Sequence, residues 1–255
     1  MQYLTSVRRA LSVLDLFSVE HPELSLAEMA RCMDVHKSSV LRILATLESA
    51  GLVAKDGRTG KYRLGLKILE LAGRVLSRYD LRTVAGPYME ELARTSGEII
   101  HLSIRDGDQI VYLDKKGQGQ VLTVATRIGG RHPAYASAMG KVLLAGMPPE
   151  ESEALIGSSP RVALTPHTIT DAAVLAEELA RVRSAGYALD NEESFPGISC
   201  VAAPIRDRSG RVVAAISVTV PTQRMGATRR EELRRLVVET ARAISSQSAG
   251  EEIVQ

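Results

Sequence analysis

The chain has 255 residues, enough for two domains with separate cores, and its 45% apolar and 24% charged content is that of a globular protein rather than a disordered or fibrous one. A formal net charge of +2, no run of about 18 apolar residues and no signal-like apolar core speak against a membrane protein and place the expected location in the cytoplasm. Cys32 and Cys200 fall one in each expected domain, which argues against a disulfide and excludes a zinc finger; five histidines without paired spacing make a structural metal site unexpected.

Taken in order, Ser6 to Ser18 is expected to form the first helix, with Val7, Ala10, Leu11, Leu14 and Phe17 on one face. Arg8 and Arg9 beside them suit a phosphate backbone or solvent equally. Ser25 with Glu28 three residues on is a capping box opening a short helix, and Asp34-Val35-His36 breaks the pattern. A second helix begins at Lys37, burying Val40, Ile43, Leu44 and Leu47, and Gly51 ends it. Its opposite side carries Ser38, Ser39, Arg42, Ala45 and Thr46, with Lys37 at the first turn. Small, hydroxylic and cationic, that face fits a major groove, although paired amphipathic helices also occur in many all-α domains. Two short strands, Leu52 to Ala54 and Lys61 to Leu64, flank the turn Asp56 to Gly60 and read as a wing, with Lys55, Arg58, Lys61 and Arg63 as its cations. Residues 1–75 hold 11 Lys or Arg against 8 Asp or Glu, the remainder 21 against 22, so the cations favour this part of the chain. Leu66 to Ser77 returns to helical spacing and is expected to link two domains.

The second domain opens on a helix near Leu81 to Arg94, interrupted or started at Gly86-Pro87. Strands are expected at Glu98 to Arg105, Gln109 to Asp114 and Val121 to Arg127, with a polar loop over Lys115 to Gln120 and another from Gly129 to Pro133. Ala136 to Ala145 reads as a buried apolar helix, Pro148-Pro149 starts another, and Asp171 to Ser184 is amphipathic up to Gly186. Strands follow near Tyr187 to Asn191, Ser199 to Ile205 and Arg211 to Val220, and Thr228 to Ser246 closes with a helix; only the last few residues look disordered. Antiparallel strands with helices at both ends give an α+β domain.

Gly140-Lys141 does not complete a phosphate loop, because Tyr135 stands where a glycine is required and Val142 where Ser or Thr is. No serine sits in a nucleophile elbow, so catalysis is not expected. Asp190, Cys200, Ser217 and Thr219 are small polar residues in apolar surroundings; Ser217 and Thr219, two apart, share a sheet face. They bond either to one another and the backbone, or to a small ligand.

Read together, SVRRALSVLDLF, LAEMARCMDVHKSSVLRILATLESAGLV, YRLGLKILELAG, HPAYASAMGKVLLA, GYALDNEESFPGISCVAAPIRD and GRVVAAISVTVP resemble the IclR family of bacterial transcriptional regulators over nearly the whole chain. The resemblance implies a winged helix-turn-helix domain over 1–65, a linker helix over 66–80, and a GAF-like, profilin-like effector-binding domain over 81–250. It implies a ligand-responsive regulator of a catabolic operon, dimeric or tetrameric, without cofactor or metal. The partners it implies are a pseudo-palindromic operator and a small organic carboxylate, with or without an aromatic ring. Arg8, Lys37, Ser38, Ser39, Arg42, Arg58, Lys61 and Arg63 then face DNA. Ala138, Met139, Gly140, Asp190, Cys200, Ser217 and Thr219 fall where members contact their effector, the carboxylate held by amides of the Met139-Gly140 helix start and Asp190 accepting from a ligand hydroxyl. Met139 is larger than the residue found there in some members and Thr219 replaces a serine, and both bear on pocket volume. A small-molecule binding protein or enzyme without DNA binding is the alternative.

Overall fold

A computed structural model describes residues 3–76, 81–117 and 126–248. The chain divides into two units, Met1–Ser77 and Arg78–Gln255. In the first, helices α1 (Thr5–Leu14), α2 (Leu26–Cys32) and α3 (Lys37–Ser49) precede strands β1 (Val53–Lys55) and β2 (Tyr62–Leu64), and α4 (Leu66–Leu76) follows. The capping box forms as its residues require: Ser25 Oγ accepts from the Glu28 N–H at 3.3 Å, while Glu28 Oε2 accepts from the Ser25 N–H at 2.7 Å. The Ser25 hydroxyl, which also donates to Glu28 Oε2 at 2.7 Å, and then the Ser25 N–H hold the Glu28 carboxyl below its usual range. Asp34 turns the chain between α2 and α3 with φ +50°, a left-handed conformation that aspartate tolerates better than most residues. Val13, Met29, Val40, Leu44, Leu47, Val53 and Tyr62 close one core, and Leu24 bridges to Tyr62 beside the hairpin.

The first helix departs from expectation. It stops at Leu14, and of the expected stripe Val7 and Leu11 are exposed, while the buried residue is Val13. The three-helix core reaches only the carboxyl half of α1, where Ala10 and Leu14 pack against it, and the segment after the helix, where Phe17 does.

In the second unit, α5 (Leu81–Ser96) runs through Pro87 without interruption. Proline removes one backbone donor, but burial of Leu81, Ala85, Met89 and Leu92 holds both turns in line. Strands β3 (Ile99–Asp106), β4 (Gln109–Lys116), β5 (Arg131–Pro133), β6 (Ala188–Asn191), β7 (Ile198–Arg206) and β8 (Val212–Pro221) form one antiparallel sheet in the order β5-β4-β3-β8-β7-β6. Two of the expected loops are partly strand. Lys115 and Lys116 extend β4 because β3 offers partners as far as Ile100, and Arg131 to Pro133 pair with β4 as an edge strand, where proline's missing donor is harmless. The strand expected over 121–127 lies mostly outside the described residues, as do 118–120 of the expected loop, 77–80 of the linker and the last seven residues; Thr126 and Arg127 belong to no strand.

Helices α6 (Ala138–Ala145), α7 (Pro149–Ser158) and α8 (Ala172–Ala185) follow β5, and α9 (Ala227–Ser248) closes the chain. The start of the buried apolar segment is a short 3-10 turn, Ala134–Ala136, and the α-helix begins only after Ser137, whose Oγ accepts from the Gly140 N–H at 3.0 Å. Residues of β7 alternate: Cys200 and Ala202 meet the core of α6 and α8, while α9 packs on the other face over β7 and β8, and α5 beside it over β3 and β4. Both faces are therefore dry, and a polar side chain on either must find a partner.

Candidate DNA-binding surface and effector cavity

On α3, Lys37, Ser38, Arg42, Ala45 and Thr46 are exposed and Ser39 is half-buried, so the expected groove-facing side is on the surface. The wing is fixed by Asp56, whose Oδ1 accepts from the N–H groups of Arg58 (2.9 Å) and Thr59 (2.7 Å) and from the Thr59 hydroxyl (3.0 Å). Bonds from Thr59 and Arg58 hold that carboxyl below its ordinary range. Gly60, at φ +70°, closes the turn. Arg58, Lys61 and Arg63 are exposed at its tip and flank. Two cations are partly engaged: Arg63 lies 3.9 Å from Glu23, and the Lys55 ammonium sits 5.5 Å from the Tyr62 ring centre. Arg8 stacks over Tyr3 at 5.8 Å.

In the second unit the sheet register assembles the polar residues. Asp190, Cys200 and Thr219 are consecutive cross-strand partners on β6, β7 and β8, and Ser217 pairs with His101 on β3. They share the face under α6 and line a cavity of about 30 Å³ with Ala138, Met139, Tyr112, Ser194 and Phe195. Six of the seven expected ligand residues are in this wall. Gly140 is not; it stands behind, its Cα against Ala134, its amide taken by Ser137. Of the first-turn amides of α6, that of Gly140 is therefore committed to Ser137 and is not available to a ligand.

The pocket's polar atoms are unequally committed. Thr219 Oγ1 lies 3.1 Å from His101 Nδ1 and 3.4 Å from Cys200 Sγ, and His101 Nε2 lies 2.7 Å from Thr126 Oγ1. Ser217 Oγ is buried without any hydrogen-bond partner. Ser103 donates to Met139 Sδ at 3.2 Å. Burial, reinforced by Lys115, pushes the His101 imidazole down to about 3, so it is neutral. Burial also raises the Cys200 thiol and the Tyr112 phenol. His101, Tyr112, Ser194 and Phe195 were not singled out from sequence. His101 left one signal, a titratable side chain within an apolar strand pattern.

Asp190 accepts the Glu193 N–H at 2.6 Å and the Ser194 N–H at 3.4 Å, yet burial and then the Glu193 charge push its carboxyl up to about 6. The folded chain thus keeps a proton that the unfolded chain releases near 3.8, and stability contributed by this group falls as pH rises from about 4 to about 6. Asp190→Asn, which keeps the acceptor, is expected to stabilise the fold by on the order of 2–3 kcal/mol above that window and by little below it. Thermal unfolding of both proteins at each end of the window measures this; an equal difference at both ends would contradict it.

Comparison with known proteins decides the identity. Residues 6–57 match the IclR helix-turn-helix domain, and residues 73–246 match the bacterial transcriptional regulator IclR C-terminal domain. The chain belongs to the IclR family. It is 37% identical to the HTH-type transcriptional regulator XynR of Escherichia coli over 249 residues, 96% of this chain and 98% of the relative. To KdgR of the same organism it is 38% identical, covering 92% of each chain. Among solved structures, a putative transcriptional regulator from Rhodococcus sp. RHA1 superposes with TM-score 0.84 at 34% identity, covering 97% of this chain and 99% of that one. An IclR homolog from Microbacterium hydrocarbonoxydans complexed with 4-hydroxybenzoate also gives 0.84, at 28% identity over 97% of this chain and 100% of that one. The chain is thus an IclR-family transcriptional regulator with a helix-turn-helix unit and an α+β unit. Among the described residues no helix is long and apolar enough to cross a membrane.

Proposed function

We propose that this IclR-family regulator is a homodimer that reads a pseudo-palindromic operator with α3 and the wing, and responds to a small organic carboxylic acid bound in the cavity between α6 and the sheet. The DNA-binding domain is assigned to 1–65, the linker to 66–80 and the effector domain to 81–250. What carries the reading is the combination, in one chain, of an exposed cationic α3 face and a buried hydroxyl, Ser217 Oγ, aimed at a polar cavity with no protein partner. Arg42 is assigned to a base edge and Ser38 and Ser39 to close approach; Lys37, Arg58, Lys61, Arg63 and Arg8 are assigned to phosphates. Exposed apolar side chains at the start of and along α1 (Leu4 just before it, then Val7 and Leu11) and on α4 (Leu66, Leu69, Val75) supply a surface for the second copy.

In the cavity, the Ala138 and Met139 amides and the Ser217 hydroxyl hold the carboxylate, and neutral His101 avoids a fixed charge. Pockets for drug-sized ligands usually exceed about 300 Å³, so accommodating a ring requires Met139 or Phe195 to shift. The homolog bound to 4-hydroxybenzoate supports an aromatic acid as one member of this ligand class. The test starts from duplexes selected by the protein out of a random library. Arg42→Ala is expected to cost roughly 1–3 kcal/mol on the selected site and to flatten its sequence preference. Ser217→Ala is expected to leave that binding intact and weaken benzoate-type acids by about 1 kcal/mol. Failure to enrich any sequence would instead favour a small-molecule binding protein without DNA recognition.

A further inference from the structure

Lys141 serves neither proposed surface, yet its side chain is the largest among the fully buried ones, 1% exposed. Its ammonium donates to Glu193 Oε1 at 2.6 Å and to Glu178 Oε1 at 3.3 Å. A lysine buried this deeply is retained at a desolvation cost that packing alone does not require. Its position explains what it joins. Lys141 belongs to α6, whose first turn (Ala138, Met139) forms one wall of the cavity, and Glu193 belongs to the connection between β6 and β7, whose Ser194 and Phe195 form another.

We propose that Lys141 is a positioning residue of the effector cavity: by gripping Glu193 it straps the segment from Asn191 to Gly197 against α6 and holds Asp190, Ser194 and Phe195 in the wall. The strap is bounded by two left-handed residues, Glu192 (φ +62°) and Gly197 (φ +75°). The Glu193 N–H donates to Asp190 Oδ1 at 2.6 Å, so displacing Glu193 displaces a wall residue directly. Neutral bonds also pin the strap: Thr165 and Thr168 donate to the carbonyls of Glu192 (2.6 Å) and Glu193 (2.7 Å), and Ser194 donates to that of Ala136 (2.6 Å). The grip of Lys141 is the attachment in which donor and acceptor both carry charge, and it is therefore the strongest side-chain link between the strap and α6. It is also incomplete, because Glu193 Oε2 is buried without a partner, which favours reversible release over permanent closure.

The inference takes its purpose from the effector reading, but its test needs no effector. Cys200 lines the cavity, and Cys32 is exposed in the other unit. In a Cys32→Ser chain, the rate at which a small methanethiosulfonate modifies Cys200 reports opening of the wall. Glu193→Gln is expected to raise that rate about tenfold, the worth of one charge-assisted bond, with the weak urea dependence of local opening. Glu193→Asp, which keeps the charge but withdraws it by one methylene, should give a smaller rise. Parental rates in both variants would overturn the proposal. So would a rise whose urea dependence equals that of global unfolding, since the ion pair would then stabilise the fold without positioning the wall.

Discussion

Operator affinity is expected to fall by about 10³ between roughly 50 and 200 mM salt, the largest change foreseen for this protein. The magnitude follows from the surface. Lys37, Arg58 and Lys61 are exposed, and none of the described carboxylates forms an ion pair with them, so a dimer brings about six cations to phosphates. Counterion release scales the logarithm of affinity by about −0.9 per contact, and a fourfold change in salt then yields about three orders of magnitude. Arg63, already 3.9 Å from Glu23, and Arg8, held over the Tyr3 ring, add less, because DNA must compete with those contacts. The same measurement tests the dimer, since three contacts from a single copy would give only roughly 40-fold. Fluorescence anisotropy titrations across the salt range supply the slope, and a slope near zero would remove α3 and the wing from DNA contact.

Gly140→Ala is expected to destabilise the effector unit by about 3 kcal/mol or more. A Cβ at this position would collide with the backbone of Ala134, its carbonyl oxygen and Cα, rather than with a side chain that could rotate away. Relief requires moving the 3-10 turn Ala134–Ala136 or the first turn of α6, both of which are buried. Either shift carries Ala138 and Met139 out of the cavity wall, so effector response and stability should fail together. The helix-turn-helix unit has its own core and should still unfold at its parental temperature. Calorimetry of the full chain resolves this, and an unchanged profile would show that α6 and the turn can separate freely. The glycine is thus explained by close packing of two backbones, not by phosphate recognition.

The sequence alone determined the elements whose signals are local. The Ser25–Glu28 box, the 3.6-residue spacing of Val40, Leu44 and Leu47, and the turn residues Asp56 to Gly60 each involve neighbours a few positions apart, so the winged helix-turn-helix was legible. Ser217 and Thr219 could be placed on one sheet face for the same reason, by their spacing of two. Strand order and register were not legible, because pairing joins residues far apart in the chain. Only the tertiary structure set Ser217 beside His101 and Thr219 beside Cys200, turning scattered polar residues into one cavity and leaving Ser217 as the uncommitted hydroxyl. It also placed Gly140 behind the wall and exposed Val7 and Leu11, whose apolar spacing had implied burial. Hydrophobic periodicity states which face of a helix avoids water, and packing alone decides whether anything in the same chain covers it. Lys141 is the extreme case: a lysine within an apolar run carries no local sign of its partner, and the fold supplies Glu193 from 52 residues away to make its burial tolerable.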